Sequence, residues 1–170
     1  DIAQIDPADL RKGISYVPQD IHLFGGTIKQ NILGIHKFID DEWMLECSKI
    51  SGTDEFVRMH PAGYDMPLGE RGAGLSGGQR QSVGIARALI NNSDIWMFDE
   101  PTNAMDQTSE SIVLNNLMSK IEGKTLLLVT QKMSMVDLVD RIIVMNFGTK
   151  VLDGPKDEII NKLGNSGEKQ

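Results

Sequence analysis

The 170 residues contain a single cysteine, Cys47, and fewer basic than acidic residues. One cysteine cannot form an intramolecular disulfide, which excludes a small scaffold stabilised by such bonds and favours a reducing compartment. No window of the sequence approaches the roughly 18 uninterrupted apolar residues of a membrane-spanning helix. Seventeen Lys and Arg against 24 Asp and Glu give a net charge of −7, so we expect no nucleic acid partner.

The amino terminus, Asp1-Ile2-Ala3-Gln4, has neither an initiator methionine nor the basic and then apolar pattern of a signal peptide. We therefore expect the sequence to start inside a longer protein. At about 150 residues per domain, the length predicts one domain with a sizeable core.

Short apolar strands alternate with helices along the chain. The predicted strands are 14–17, 95–98, 125–130, 142–145 and 151–152, with a turn at Asn146-Phe147-Gly148. The predicted helices are a short one after Thr27, then 41–50, 53–59, 79–90, 108–121, 134–139 with a Ser134 cap, and 157–163. This alternation predicts an α/β fold, in which buried strands form a parallel sheet with helices on both faces. We expect residues 164–170 to form a frayed tail.

A cluster of glycines precedes the helix that begins near Gln79, in the segment Leu75-Ser76-Gly77-Gly78-Gln79. Ser76 and Gln79 have the spacing of a capping box. The first helical amides and the helix dipole would favour an anion, and Gly77 and Gly78 would let a phosphate approach the backbone. A merely well-capped helix is an equally weighted alternative.

Two adjacent acids, Asp99 and Glu100, directly follow the apolar strand 95–98. Ligands bind near the carboxyl ends of parallel strands, so Asp99 could hold Mg²⁺ and Glu100 could accept a proton from an attacking water. We expect the two side chains to point to opposite sides of an extended strand. The alternative is a solvated strand end without function.

Together these segments resemble the nucleotide-binding domain of ATP-binding-cassette (ABC) transporters. The matching motifs are the glutamine loop Tyr16–Asp20, the signature Leu75–Gln79, the Walker B strand Ile95–Glu100 and the aspartate loop Asn103–Asp106. Gly69-Glu70-Arg71-Gly72 resembles the segment with which exporters contact their membrane domain. Asp6-Pro7 and Leu23-Phe24 with their neighbours resemble bacterial exporters of the type I secretion branch, which export proteins and toxins.

The resemblance implies a fold and a set of site residues. The fold would be the P-loop NTPase-like ABC ATPase, with residues 1–163 as its carboxyl-terminal portion and about 27–92 as a helical signature subdomain. Gln19 and Asp99 would assist Mg²⁺, and Glu100 would be the catalytic base. Ser76, Gly77, Gly78 and Gln79 would grip the ATP bound by an opposite subunit, and Asp106 would lie at that interface.

The resemblance also implies partners and a location. The partners would be a second nucleotide-binding domain and a transmembrane domain, with the exported substrate contacted only indirectly. The location would be the cytoplasmic face of a bacterial inner membrane.

Two features depart from the family pattern. A P-loop needs Gly-x-x-x-x-Gly-Lys-Ser/Thr before a helix, but Gly123-Lys124-Thr125 leads into a strand and has Met118 at the first glycine position. We expect the Walker A motif upstream of Asp1 and negligible ATPase activity of residues 1–170 alone. Gln131 stands where the family places a histidine, and we expect it to position rather than to transfer protons, because an amide does not titrate.

Two other functions stay open. One is an ABC ATPase that serves no transporter, which the Glu70-Arg71 segment disfavours. The other is a regulatory half that binds nucleotide and hydrolyses it weakly, which Gln131 favours and Glu100 disfavours. The three histidines have no metal-ligand spacing, so we assign no transition metal. Cys47 lies on the apolar stripe of its helix and is expected to fill the core.

Overall fold

A computed structural model describes residues 1–36 and 39–167. They fall into two compact units, the first spanning Asp1–Gln131 and the second beginning at Lys132. The helices are Pro7–Lys12 (α1), Ile28–Leu33 (α2), Asp41–Ile50 (α3), Thr53–Val57 (α4), Gly77–Ile90 (α5), Gln107–Met118 (α6) and Lys156–Gly167 (α7). The strands are Ile14–Val17 (β1), Gly26–Thr27 (β2), Pro67–Leu68 (β3), Ile95–Asp99 (β4), Thr125–Val129 (β5), Arg141–Asn146 (β6) and Thr149–Pro155 (β7).

A three-stranded parallel sheet in the order β1-β4-β5 organises the first unit. Val17 lies opposite Phe98, and Phe98 lies opposite Leu128. Strand β1 ends directly before Pro18, which has no amide hydrogen to donate to a ladder. The carboxyl ends of all three strands therefore meet at one edge, as the alternation of strands and helices predicts.

The described residues cover only one face of this sheet. Val17, Trp96 and Phe98 point to the buried face, with Trp96 and Phe98 stacked at a centroid separation of 5.7 Å. On the other face Tyr16 and Leu127 are 56% and 54% exposed. The predictions of helices on both faces and of a buried β5 are therefore wrong for this part of the chain.

The last two strands pair with each other and not with the parallel sheet in the described structure. Strands β6 and β7 form an antiparallel hairpin around Phe147 and Gly148, whose φ angles are 46° and 74°. Positive φ at both turn residues matches the tight turn expected there. Strand β7 is longer than the two residues predicted, since it extends from Thr149 to Pro155.

Helices α2 to α5 and the β2–β3 pair form the helical part of the first unit, over residues 26–90, close to the expected 27–92. Helix α5 runs along its centre, and Val83 and Ile85 are fully buried. Cys47 of α3 is also fully buried, which confirms its expected place in the core, and burial raises the pKa of its thiol to about 12. The proposed boundaries of a signature subdomain remain a prediction.

Three local features differ from expectation. The segment Met133–Leu138 is a 3₁₀ helix whose N-cap residue is Lys132, so Ser134, the predicted cap, lies inside the helix. Helix α1 was not predicted, although Asp6 caps it by accepting from the Ala8 amide at 2.7 Å and Pro7 is its first residue. Helix α7 continues to Gly167, into the expected tail, and residues 168–170 lie outside the described part. No described helix is long and apolar enough to cross a membrane.

Candidate functional site

The carboxyl edge of the parallel sheet gathers four of the predicted site residues. Gln19 follows β1 by two residues and is exposed, Asp99 ends β4, and Glu100 comes next. Gln131 follows β5 by two residues. Because the three strands are parallel and in register, these residues lie at the same edge of the sheet.

Glu100 is held in a defined position at this edge. Its backbone amide donates to the Val129 carbonyl at 2.9 Å. Its carboxylate accepts from the Gln131 amide at 3.0 Å and from the Thr130 hydroxyl at 3.3 Å. The carboxylate is half-buried and oriented by hydrogen bonds, which suits a base that must meet a water molecule at a fixed place.

The two adjacent acids differ in backbone conformation. Asp99 is still in β4, opposite Val129, whereas Glu100 has left the strand with φ of 45°. The expected extended strand through both residues is therefore wrong, and the opposite orientation of the two side chains stays a prediction. Left-handed backbone at a residue other than glycine is uncommon and often marks a functional site.

Asp99 and Gln19 offer the oxygen donors that Mg²⁺ prefers. Among the described residues the Asp99 carboxylate forms no ion pair or side-chain hydrogen bond, so it is available to a cation. No three His, Cys, Asp or Glu side chains in the described ranges cluster as a complete metal site. A magnesium ion would therefore need further ligands, such as phosphate oxygens, and the two donors fit that partial role.

The signature segment forms the capping box predicted from the sequence. The Ser76 hydroxyl accepts from the Gln79 amide at 3.2 Å, and the Gln79 side-chain oxygen accepts from the Ser76 amide at 2.9 Å. Helix α5 starts at Gly77, two residues before the predicted start. The carboxamide oxygen of Gln79 is thus used within the chain, which leaves its amino group for a ligand.

Gly77 and Gly78 are needed for contacts inside the chain. A Cβ at Gly77 would lie 3.0 Å from the Cβ of Ala104, and one at Gly78 would lie 3.0 Å from the Ala104 carbonyl oxygen. Both distances are shorter than ordinary van der Waals contacts. The glycines therefore let helix α5 pack on the aspartate loop, a role that the sequence did not reveal.

Asp106 caps helix α6. Its carboxylate accepts from the Ser109 amide at 2.9 Å and from the Ser109 hydroxyl at 2.8 Å. These bonds, the amide bond first, hold the pKa of Asp106 below its usual range. The residue predicted to lie at a subunit interface thus also fixes the end of the aspartate loop.

The predicted site residues fall into two groups. Ser76, Gly78, Gln79 and Asp106 line a cavity of about 240 Å³ whose other walls include Phe56 and Ile112. Glu100 and Gln131 are not among its lining residues, and they belong to the sheet edge instead. Two separate groups in one chain are what a site shared between two subunits would require.

Sequence reasoning missed the residues that join helix α5 to the segment after the glutamine loop. The Arg87 guanidinium donates to the His22 carbonyl at 2.9 Å and to the Asn31 carbonyl at 2.7 Å. Gly84 packs so closely on Ile21 that a Cβ there would lie 2.5 Å from the Ile21 side chain. An arginine among the small and apolar residues 83–90 was the available signal, because a half-buried guanidinium requires acceptors.

Comparison with known proteins decides the family. The sequence profile described as "ABC transporter" matches residues 1–103, more than half of the chain. The chain belongs to the ABC transporter family. This confirms the expected membership, and the parallel sheet with flanking helices agrees with the ABC ATPase fold.

Two kinds of proteins resemble the chain over most of its length. It is 41% identical over 160 residues to "Leukotoxin translocation ATP-binding protein LktB" of Pasteurella haemolytica-like sp. (strain 5943B), covering 94% of this chain and 23% of that protein. The same values hold for the protein of that name from Mannheimia glucosida. A solved bacterial Atm1-family ABC exporter with ATP bound is 31% identical, with a TM-score of 0.89, and the match covers 95% of this chain and 29% of that one.

The chain therefore spans about a quarter of the length of the relatives that it matches. The individual roles expected of Gln19, Ser76, Asp99, Glu100, Asp106 and Gln131 stay predictions.

Proposed function

We propose that the chain is part of the ATP-hydrolysing motor of an ABC exporter, of the kind that secretes a protein or toxin by the type I route. The orientation of Glu100 carries this proposal. Its carboxylate is held by the Gln131 amide and the Thr130 hydroxyl at the sheet edge where α/β proteins bind ligands. The similarity to proteins named for leukotoxin translocation supports export as the process that the motor drives.

In this proposal Glu100 accepts a proton from the water that attacks the terminal phosphate of ATP. Asp99 and Gln19 hold Mg²⁺, which when bound would neutralise charge on the phosphates. Gln131 orients Glu100 through its backbone amide, so a side chain that can titrate is not required at that position.

The signature group acts on the nucleotide of a second subunit. Ser76, Gly77, Gly78 and Gln79 present the start of an α-helix, where amides and the helix dipole favour phosphate. The separation of this group from Glu100 supports a dimer in which each site takes one group from each subunit. A transmembrane domain would complete the transporter at the cytoplasmic face of the bacterial inner membrane.

Replacement of the base tests the proposal. In the full-length protein, Glu100→Gln should lower ATP hydrolysis roughly 10²- to 10⁴-fold, the usual contribution of general base catalysis. ATP binding should persist, because the amide can keep the hydrogen bond from Gln131. The matched control is Glu122→Gln, which changes charge equally at an exposed turn. Unchanged hydrolysis in Glu100→Gln would contradict the assignment, and lost ATP binding would make Glu100 a structural residue.

A further inference from the structure

Gln81 lies on helix α5 between the signature and the catalytic edge of the sheet. It is only 5% exposed, although glutamine is usually found at the surface. A buried carboxamide needs partners for both its amino group and its oxygen. The hydrogen-bond partners of Gln81 must therefore lie within the protein.

Both ends of the Gln81 side chain bind the backbone of the segment that carries Glu100. The side-chain nitrogen donates to the Glu100 carbonyl at 3.3 Å, and the oxygen accepts from the Ala104 amide at 2.7 Å. The Glu100 carbonyl also accepts from the Asn103 amide at 3.2 Å, which closes a turn. Gln81 thus spans this turn and fixes both of its ends to helix α5.

These two hydrogen bonds, which we call the Gln81 tether, hold a part of the backbone that is strained. Glu100 has φ of 45°, and a left-handed residue other than glycine persists only when its surroundings hold it. The carboxylate is oriented from one side by Thr130 and Gln131, whereas Gln81 holds the carbonyl of the same residue. The position of the base therefore depends on both the end of β5 and helix α5.

We propose that Gln81 is a positioning residue that ties the catalytic Glu100 to the signature helix. The inference rests on the proposed function, because it assigns Gln81 a role toward the base named there. Ser76 caps helix α5, so a shift of the helix when the signature meets the nucleotide of another subunit is carried to the Glu100 turn. The tether links the two groups of site residues within one chain.

The test combines two substitutions in the full-length protein. Gln81→Met keeps the length of the side chain but removes both hydrogen bonds, and it should lower kcat roughly tenfold, the value of one to two such bonds, with KM for ATP unchanged. In a Glu100→Gln background the same substitution should have no further effect on the residual hydrolysis, because the group that it positions has gone. Equal losses in both backgrounds, or no loss in either, would overturn the proposal.

Further measurements keep the test decisive. Gln81→Glu retains the acceptor for Ala104 but places a buried carboxylate against the Glu100 carbonyl, so its kcat should fall at least as far as that of Gln81→Met. The exposed Gln4→Glu serves as the charge control. If Gln81→Met fails to fold, Gln81→Asn in both backgrounds decides the question, because its shorter carboxamide is uncharged but cannot keep both hydrogen bonds.

Hydrogen exchange gives a readout without hydrolysis. The Asn103 and Ala104 amides should exchange faster in Gln81→Met than in the wild type, whether or not the protein hydrolyses ATP. A wild type without ATPase activity would reject the proposed function alone, whereas unchanged exchange in the variant would reject the tether.

Discussion

The packing of Gly77 against Ala104 leads to a prediction that separates two roles of the signature glycines. A Cβ at position 77 would lie 3.0 Å from the Cβ of Ala104, whereas carbon atoms in contact normally lie about 3.5–4.0 Å apart. Overpacking of this kind costs about 1–3 kcal/mol, and alanine in a helix recovers about 0.5–1 kcal/mol relative to glycine. We therefore expect Gly77→Ala to destabilise the start of helix α5 by about 1 kcal/mol.

A second substitution provides the decisive comparison. Ala104→Gly removes the atom that the new methyl group would meet, so the double variant should regain the lost stability. Hydrogen exchange at residues 77–81 measures the effect, and 1 kcal/mol corresponds to an increase of roughly fivefold in local opening. ATP hydrolysis by the full-length protein should fall in Gly77→Ala and recover in the double variant.

The control and the opposing outcome follow from the same geometry. Gly164→Ala places a methyl group where no atom lies within 4 Å, and it should leave exchange at residues 77–81 unchanged. If the two substitutions at 77 and 104 are additive, the packing explanation is refuted. Restored stability without restored hydrolysis would show that glycine at position 77 serves the approach of phosphate.

Two more predictions concern Gln131 and Asp106. Gln131→His should leave the rate of hydrolysis unchanged, because the hydrogen bond to Glu100 comes from the backbone amide. Gln131→Pro removes that amide and should lower the rate of hydrolysis roughly tenfold. A large gain in rate with histidine, measured in steady-state assays, would show that the side chain takes part. The folded-state pKa of Asp106 is lowered, so its charge stabilises the fold above the unfolded pKa of about 3.9, and this contribution is lost as the pH falls through the folded pKa. Asp106→Asn should therefore unfold at a lower temperature than the wild type at pH 7, and the difference should shrink as the pH falls below the unfolded pKa and through the lowered folded pKa; a constant difference would contradict this linkage.

The sequence predicted the parts of the fold that local patterns encode. The strands at 14–17 and 95–98 are apolar runs bounded by breakers, and the Ser76 capping box has a fixed spacing. The alternation of residues could not show which sheet face is covered, because that depends on elements distant in the chain. The antiparallel pairing of β6 with β7 was visible only as a turn signal at Phe147 and Gly148.

The sequence indicated which residues form the candidate site but not which contacts connect them. The motifs located Asp99 and Glu100, but nothing in the local sequence indicates the left-handed backbone of Glu100. The contact of Gln81 with Ala104 joins residues 23 positions apart, so no short pattern could reveal it. The start of helix α1, in contrast, could have been predicted from the local sequence, since Asp6 followed by Pro7 is a typical start of a helix.

The left-handed conformation of Glu100 sets stability and activity against each other at one position. A side chain there costs roughly 1–2 kcal/mol relative to a residue without Cβ. Glycine would relax the backbone but could not supply the base of the proposed function, so a sequence optimised for thermal stability alone would not keep the carboxylate. If Glu100 is the base that we propose, selection for turnover keeps a strained residue where the fold by itself would favour glycine.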